Sequence, residues 1–128
     1  MHFIDLAKQQ ERIKDKIDAR IAAVLRHGHY IMGPEVAELE ERLCAFTGAK
    51  YCTSCASGSD ALFMTLLAWG VGAGDAVFVP AFTFFATAEM PALLGAVPVF
   101  VDIDPCTFNM RPESLEKAIW AVKKAGRL

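Results

Sequence analysis

The chain has 128 residues, 54% of them hydrophobic and 22% charged, with a formal net charge of −2. That length suits one ordinary domain rather than two, and the charge leaves no basic footprint for nucleic acid. No apolar run approaches the roughly 18 residues of a spanning helix, and the opening MHFIDLAKQQERIKDKID lacks the apolar core of a secretory signal, so a soluble, cytoplasmic protein with no membrane or nucleic-acid partner is expected.

From about Asp5 to Arg26, Leu6, Ile13, Ile17, Ile21 and Val24 recur mostly at helical spacing, with Lys14, Asp15, Asp18 and Arg20 on the other side. This predicts a surface helix with one apolar stripe. Gly28 and Gly33 interrupt it, and Pro34 restarts a helix, with Glu35 and Glu38 favouring its positive end. Val36, Leu39, Leu43 and Phe46 form the apolar face of this second helix and Gly48 closes it. His27 and His29 fall at a helix end and make a weak metal site.

The rhythm then changes. AKYCTSCAS reads as a strand, SDALFMTLLAWG as a helix apolar nearly all round, and DAVFVP as a second strand. FTFFATAEMPALLG reads as a helix containing Pro91, VPVFVDI as a third strand, and RPESLEKAIWAVKKAG as a final amphipathic helix. Strands alternating with helices point to an α/β fold with a mostly parallel sheet, whose strands are continuously apolar because both faces are covered. GVGAGDA, Gly70 to Ala76, precedes a strand and reads as a connecting loop rather than a dinucleotide fingerprint.

Cys52 and Cys55 form a C-x-x-C, a spacing used in redox and zinc chemistry. On a strand, residues three apart point to opposite faces, so the pair would neither chelate one ion nor bridge readily. With Cys44 and Cys106 each standing alone, all four are expected to be small buried thiols.

Ser57, Gly58, Ser59 and Asp60 stand where the first predicted strand gives way to its helix. Ligands of open α/β sheets gather at such carboxyl ends. The helix start exposes unpaired N–H groups and a positive dipole end able to hold a phosphate, with Gly58 letting the backbone approach and Ser59 adding a hydroxyl. The same letters also serve simple capping: Ser57 as N-cap with Asp60 three residues on resembles a capping box and needs no ligand. A P-loop is excluded because no Lys follows before Lys117, and Gly-x-Ser-x-Gly has no match around Ser57 or Ser59. One strand later, PAFTFFAT carries Phe82, Phe84 and Phe85, a cluster read first as core. A ring projecting over the same cleft as Ser59 would instead offer a flat wall. An anion seat beside a flat wall suits a phosphorylated heteroaromatic such as pyridoxal phosphate (PLP).

The segments GHYIMGPEVAELEERLCAFTGAKYC, CASGSDALFMTLLAWGVGAGD and VPAFTFFATAEMPALLGAVPVFVDIDPCTFNM together resemble the N-terminal third of the DegT/DnrJ/EryC1/StrS family of PLP-dependent nucleotide-sugar aminotransferases. The resemblance covers nearly the whole chain. Within the family it is nearest the enzymes that aminate the 3-keto group of a UDP-N-acetylglucosaminuronic acid for O-antigen (lipopolysaccharide) biosynthesis, with glutamate as donor. The implied fold is the N-terminal part of the large domain of the fold-type I, aspartate aminotransferase-like transferases. In it residues 1–33 would form a helix and arm and residues 34–128 a partial α/β sheet.

Carried onto this sequence, the family's phosphate turn falls on Ser57, Gly58 and Ser59, with Gly58 and Ser59 expected to hold the cofactor phosphate, and the aromatic on the pyridine ring falls on Phe84. Ser59 stands where Thr is frequent, which keeps the hydroxyl. Asp60 is assigned to the helix start, and Asp102 and Asp104 to a turn. The resemblance implies no metal and no catalytic residue here, because none of Lys8, Lys14, Lys16, Lys50, Lys117, Lys123 or Lys124 lies in the context of the family's Schiff-base lysine. The chain is therefore expected to be a fragment, inactive alone and binding PLP weakly at best. Unpaired strand edges and bare apolar helix faces would lead it to dimerise or associate further, or to need absent partners. The competing readings are a non-catalytic interaction module docking on a full-length relative and a generic phosphate-binding α/β domain.

Overall fold

A computed structural model describes residues 3–126, which fall into two compact units dividing between Ser54 and Cys55. The core residues Val79, Ala86, Ala88, Met90, Ala96 and Val101 all belong to the second unit.

The first unit is built on α1 (Leu6–His27) and α2 (Pro34–Thr47). Asp5 caps α1 by accepting the Lys8 N–H at 3.0 Å, and Gly28 ends it in the left-handed conformation. Gly33 is required by close approach, because a Cβ there would stand 2.4 Å from the His29 carbonyl oxygen. Pro34 starts α2 where its missing N–H costs no helical bond, and Gly48 closes it at φ 76°. Polar side chains link the helices. The Arg20 guanidinium donates to both Glu38 oxygens at 2.6 and 2.7 Å, and His27 Nε2 lies 3.1 Å from Glu35 Oε1. The predicted stripe is present but uncovered: Ile13, Ile17, Ile21, Leu39 and Phe46 are all exposed.

The second unit contains α3 (Gly58–Ala68), β1 (Ala76–Pro80), α4 (Ala86–Leu93), β2 (Val97–Val101) and α5 (Pro112–Lys124). The strands pair in parallel, in register from Ala76↔Val97 to Pro80↔Val101, with α4 as the crossover. Val79 and Val101, each 2% exposed, meet the buried Ala86, Ala88, Met90 and Pro91 of α4. Pro91 is accommodated because α4 ends two residues later, and its carbonyl accepts the N–H groups of Leu94 and Ala96. Leu115, Ile119 and Val122 form the half-buried stripe of α5, which packs on β2, while α3 packs on α4. Leu62, Met64 and Leu67 of α3 remain exposed, so only one side of its all-round apolar surface is covered.

Two expectations are corrected. The segment around AKYCTSCAS is irregular rather than a strand, because the sheet among the described residues has only β1 and β2 and no ladder reaches it. The cysteines are not buried: Cys44 and Cys52 are half-buried, and Cys55 and Cys106 are exposed. Small thiols enter a core only where neighbouring elements close over them, and here none does. Residues 70–75 form the expected connecting loop, with the Gly72 N–H donating to the Asp75 carboxylate at 2.8 Å.

Candidate functional site

The turn at Ser57 opens α3. Ser57 is extended (φ −154°, ψ 167°), and its hydroxyl oxygen accepts the Asp60 N–H at 3.1 Å while its O–H donates to the Asp60 carboxylate at 2.8 Å. The capping read from the letters is therefore present, in a tighter form than a standard box, because the shorter Asp meets the hydroxyl rather than the Ser57 N–H. The first helical bond runs from the Ala61 N–H to the Ser57 carbonyl at 3.1 Å. The N–H groups of Gly58 and Ser59, at the first two helical positions, precede that ladder and have no partner among the described residues, nor has the Ser59 hydroxyl.

Gly58 is the informative residue. It does not have a positive φ, and a Cβ added there would meet nothing within 4 Å. Neither backbone conformation nor packing in this chain calls for glycine. At this position an added methyl would meet only open space, at the helix start that carries two unpaired N–H donors. The residues present thus fit an anionic group: two amide donors, one hydroxyl donor, the positive end of an 11-residue helix, and room for the ligand to touch main chain. Capping alone explains Ser57 and Asp60 but leaves Gly58 and Ser59 without a task.

Phe84 lies on the loop leaving the carboxyl end of β1 and is 77% exposed, with Phe82 and Phe85 similarly open. The core reading of this cluster is overturned, because α4 begins after Phe85 and buries its alanines and Met90 instead. Parallel pairing brings the loops after β1 and β2 to the same end of the sheet, where the Phe82 and Phe108 rings approach to 5.6 Å. No hydrogen bond or ring contact joins Phe84 to the Ser57–Ser59 turn among the described residues. An apolar hollow of about 390 Å³ between β2 and α5, lined by residues that include Val97, Val99 and Val122, contains none of the site residues.

Asp104 is a turn residue, as expected. Its carboxylate accepts the N–H groups of Thr107 and Cys106 at 2.8 and 2.9 Å, which hold it below the usual carboxylate range. The Asp102 carbonyl accepts the Arg111 N–H at 3.0 Å. No group of three His, Cys, Asp or Glu is arranged to hold a metal among the described residues.

Sequence reasoning missed Glu40. Its Oε1 accepts both the N–H and the O–H of Ser54, at 2.7 and 2.8 Å, three residues before the cap. Those bonds hold its carboxyl below the usual range. Nothing in the spacing of Glu40 and Ser54 advertises the pair, since it joins a helix to an irregular segment.

The parallel β-α-β unit, with the open helix end ahead of it, is the N-terminal part of the large domain of fold-type I, PLP-dependent aminotransferases. A solved DegT/DnrJ/EryC1/StrS aminotransferase from Brucella abortus superposes with a TM-score of 0.93 at 54% identity, covering 100% of this chain and 34% of that one. The chain belongs to the DegT/DnrJ/EryC1/StrS aminotransferase family, whose model matches residues 11–125. It is 63% identical over 125 residues to UDP-2-acetamido-2-deoxy-3-oxo-D-glucuronate aminotransferase of Pseudomonas aeruginosa, covering 98% of this chain and 35% of that protein. NtdA from Bacillus subtilis, solved with bound cofactor PMP, matches with a TM-score of 0.78 at 34% identity, over 84% of this chain and 25% of that one. The chain thus spans about a third of the length of the relatives it matches.

Proposed function

We propose that this chain is the cofactor-phosphate half of a PLP-dependent nucleotide-sugar aminotransferase. The observation that carries the reading is Gly58, a glycine with no conformational or packing need, at the helix start where the N–H groups of Gly58 and Ser59 have no partner among the described residues. PLP, when bound, supplies the electron sink for amino-group transfer. The residues of this chain bind and orient it. The Gly58 and Ser59 amides and the Ser59 hydroxyl would hold its phosphate, Ser57 with Asp60 would keep the helix start in shape, and Phe84 would lie on the ring.

The whole reaction needs a lysine that forms a Schiff base, which we assign to the part of the family fold outside these 128 residues, so that this chain by itself does not aminate. Similarity to the Pseudomonas aeruginosa enzyme supports a UDP-linked 3-keto sugar acid as acceptor. Glutamate as donor, a role in surface-polysaccharide synthesis, and a homodimeric or larger assembly complete the proposal. In this reading residues 1–33 are an arm and residues 34–128 belong to the sheet domain. The exposed apolar residues of α1 and α2 favour the assembly. Among the described residues no helix is long and apolar enough to cross a membrane.

The test is to titrate PLP, and pyridoxal lacking the phosphate, into the chain and its Ser59→Ala variant. Weak binding of PLP that falls several-fold in the variant, with pyridoxal unaffected, is expected. Equal binding of PLP by both proteins would overturn the assignment of Ser59.

A further inference from the structure

We propose that Phe108 is a positioning residue for the loop of residues 81–85, holding it through the ring of Phe82 so that Phe84 is presented as a flat wall. The inference rests on the reading that Phe84 lies on the cofactor ring, and every residue in it belongs to the second unit.

Phe108 stands at φ 60°, in the left-handed region, where a Cβ crowds the neighbouring carbonyl and Gly, Asn or Asp is the usual occupant. The turn around it requires that conformation. The Phe108 N–H donates to the Asp104 carbonyl and the Asp104 N–H to the Asn109 carbonyl, both at 2.8 Å, and Ile103 bridges Met110 in antiparallel fashion. The Asp104 carboxylate stiffens the same turn by taking the N–H groups of Cys106 and Thr107. Turn chemistry by itself favours glycine at such a position. What phenylalanine has that glycine lacks is its ring, and that ring lies 5.6 Å from the ring of Phe82, tilted by 36°, in the arrangement of a favourable aromatic pair.

Phe82 stands two residues before Phe84 on the loop that leaves β1. The loop is tied at its start by the Ala81 N–H, which donates to the Val101 carbonyl at 2.8 Å. At its end the Thr87 N–H donates to the Phe84 carbonyl and the Ala88 N–H to the Phe85 carbonyl, both at 3.0 Å. The contact with Phe108 adds a hold between those ends, against the loop that leaves β2. Two residues of chain reach at most about 7 Å, so pinning Phe82 restricts where Phe84 can stand.

The experiment compares the chain with Phe108→Gly, Phe108→Tyr, Phe82→Ala and the Phe82→Ala/Phe108→Gly double variant. Amide hydrogen exchange is read at Thr87 and Ala88, whose acceptors lie in the loop, and at Arg111, whose acceptor is the Asp102 carbonyl at the base of the Phe108 turn. Melting temperature reports the fold, and affinity is read with PLP and with pyridoxal. Phe108→Gly removes the ring and relieves the left-handed strain together. It is expected to leave the melting temperature and Arg111 exchange unchanged and to speed exchange at Thr87 and Ala88 several-fold. It should weaken PLP and pyridoxal by the same factor, whereas Ser59→Ala spares pyridoxal. Phe108→Tyr, which keeps the ring, should match the wild type. The double variant should be no worse than the worse single variant, because both remove one contact.

Wild-type exchange at Thr87 and Ala88 in Phe108→Gly would overturn the proposal. So would single effects that simply add in the double variant, or a loss of PLP that spares pyridoxal. Should Phe108→Gly not fold, Phe82→Ala decides, and wild-type exchange at Thr87 there overturns it. If Phe84→Ala binds PLP and pyridoxal as the wild type does, the reading that Phe84 meets the cofactor ring fails instead. Exchange at Thr87 and Ala88 would still decide whether Phe108 holds the loop.

Discussion

Replacing Gly58 with alanine should move stability and ligand binding in opposite directions. The residue occupies the first position of α3, its φ lies outside the left-handed region, and an added Cβ meets no atom within 4 Å. Alanine is favoured over glycine by up to about 1 kcal/mol inside a helix. At a terminal position roughly half of that, about 0.5 kcal/mol, is a reasonable gain, worth about 2–4 °C in Tm for a domain of this size. The same methyl would stand on a residue whose N–H, with that of Ser59, is proposed to meet the phosphate, and it would hinder close approach of the ligand to the main chain there. A phosphate pushed away from even one amide donor should bind about tenfold more weakly, which corresponds to about 1.4 kcal/mol. Scanning calorimetry and PLP titration on the same two proteins measure both effects. A variant that melts lower would show that glycine has a structural task here after all, and one that binds PLP undiminished would refute the claim that main chain meets ligand at this residue.

Ser57→Ala removes the hydroxyl that caps the Asp60 N–H and should cost about 1 kcal/mol by denaturant titration, with α3 fraying first in hydrogen exchange. Val101→Ala, at a side chain 2% exposed against α4, should cost about 2 kcal/mol and lower the denaturation midpoint without changing the slope. Arg20→Ala should loosen α1 from α2 at low salt and have less effect at high salt, because its paired Glu38 is only partly shielded from solvent. Acidification gives a signed prediction. Glu35, Glu38 and Glu40 all have carboxyl groups held below the usual range by hydrogen bonds from His27, Arg20 and Ser54 respectively. Their stabilising effect is therefore complete above about pH 4.3, the ordinary glutamate value, and is lost as the pH falls through their lower folded values. Helical signal from residues 6–47 should decline in that acid range, and Glu40→Gln should flatten part of the decline. A pH-independent signal there would contradict the assignment.

Elements whose cause is local were legible before any coordinates. Asp5 and Gly28 bracket α1, Pro34 and Gly48 bracket α2, and Ser57 with Asp60 opens α3, all near the residues that capping chemistry indicates. The apolar runs at 76–80 and 97–101, separated by a helix, implied the parallel pairing that is observed. The segment before Ser57 has a composition that suits a strand. A strand, however, is a relation between two chains, and the described residues provide no second chain for it. Phe84 and its neighbours differ from the core expectation for a related reason: hydrophobicity says that a ring gains from burial, and only packing says whether anything covers it.

The linear order of residues was enough for the helix starts and stops at Asp5, Gly28, Pro34, Gly48 and Ser57 and for the parallel α/β character, because caps, breakers and periodicity act over a few residues. Three dimensions were needed to separate the tasks within the turn: Ser57 is occupied with Asp60, whereas the Gly58 and Ser59 donors stand open. They were needed too for the bond from Ser54 to Glu40, since hydrogen bonds between residues 14 apart depend on how the chain folds back and leave no trace in spacing.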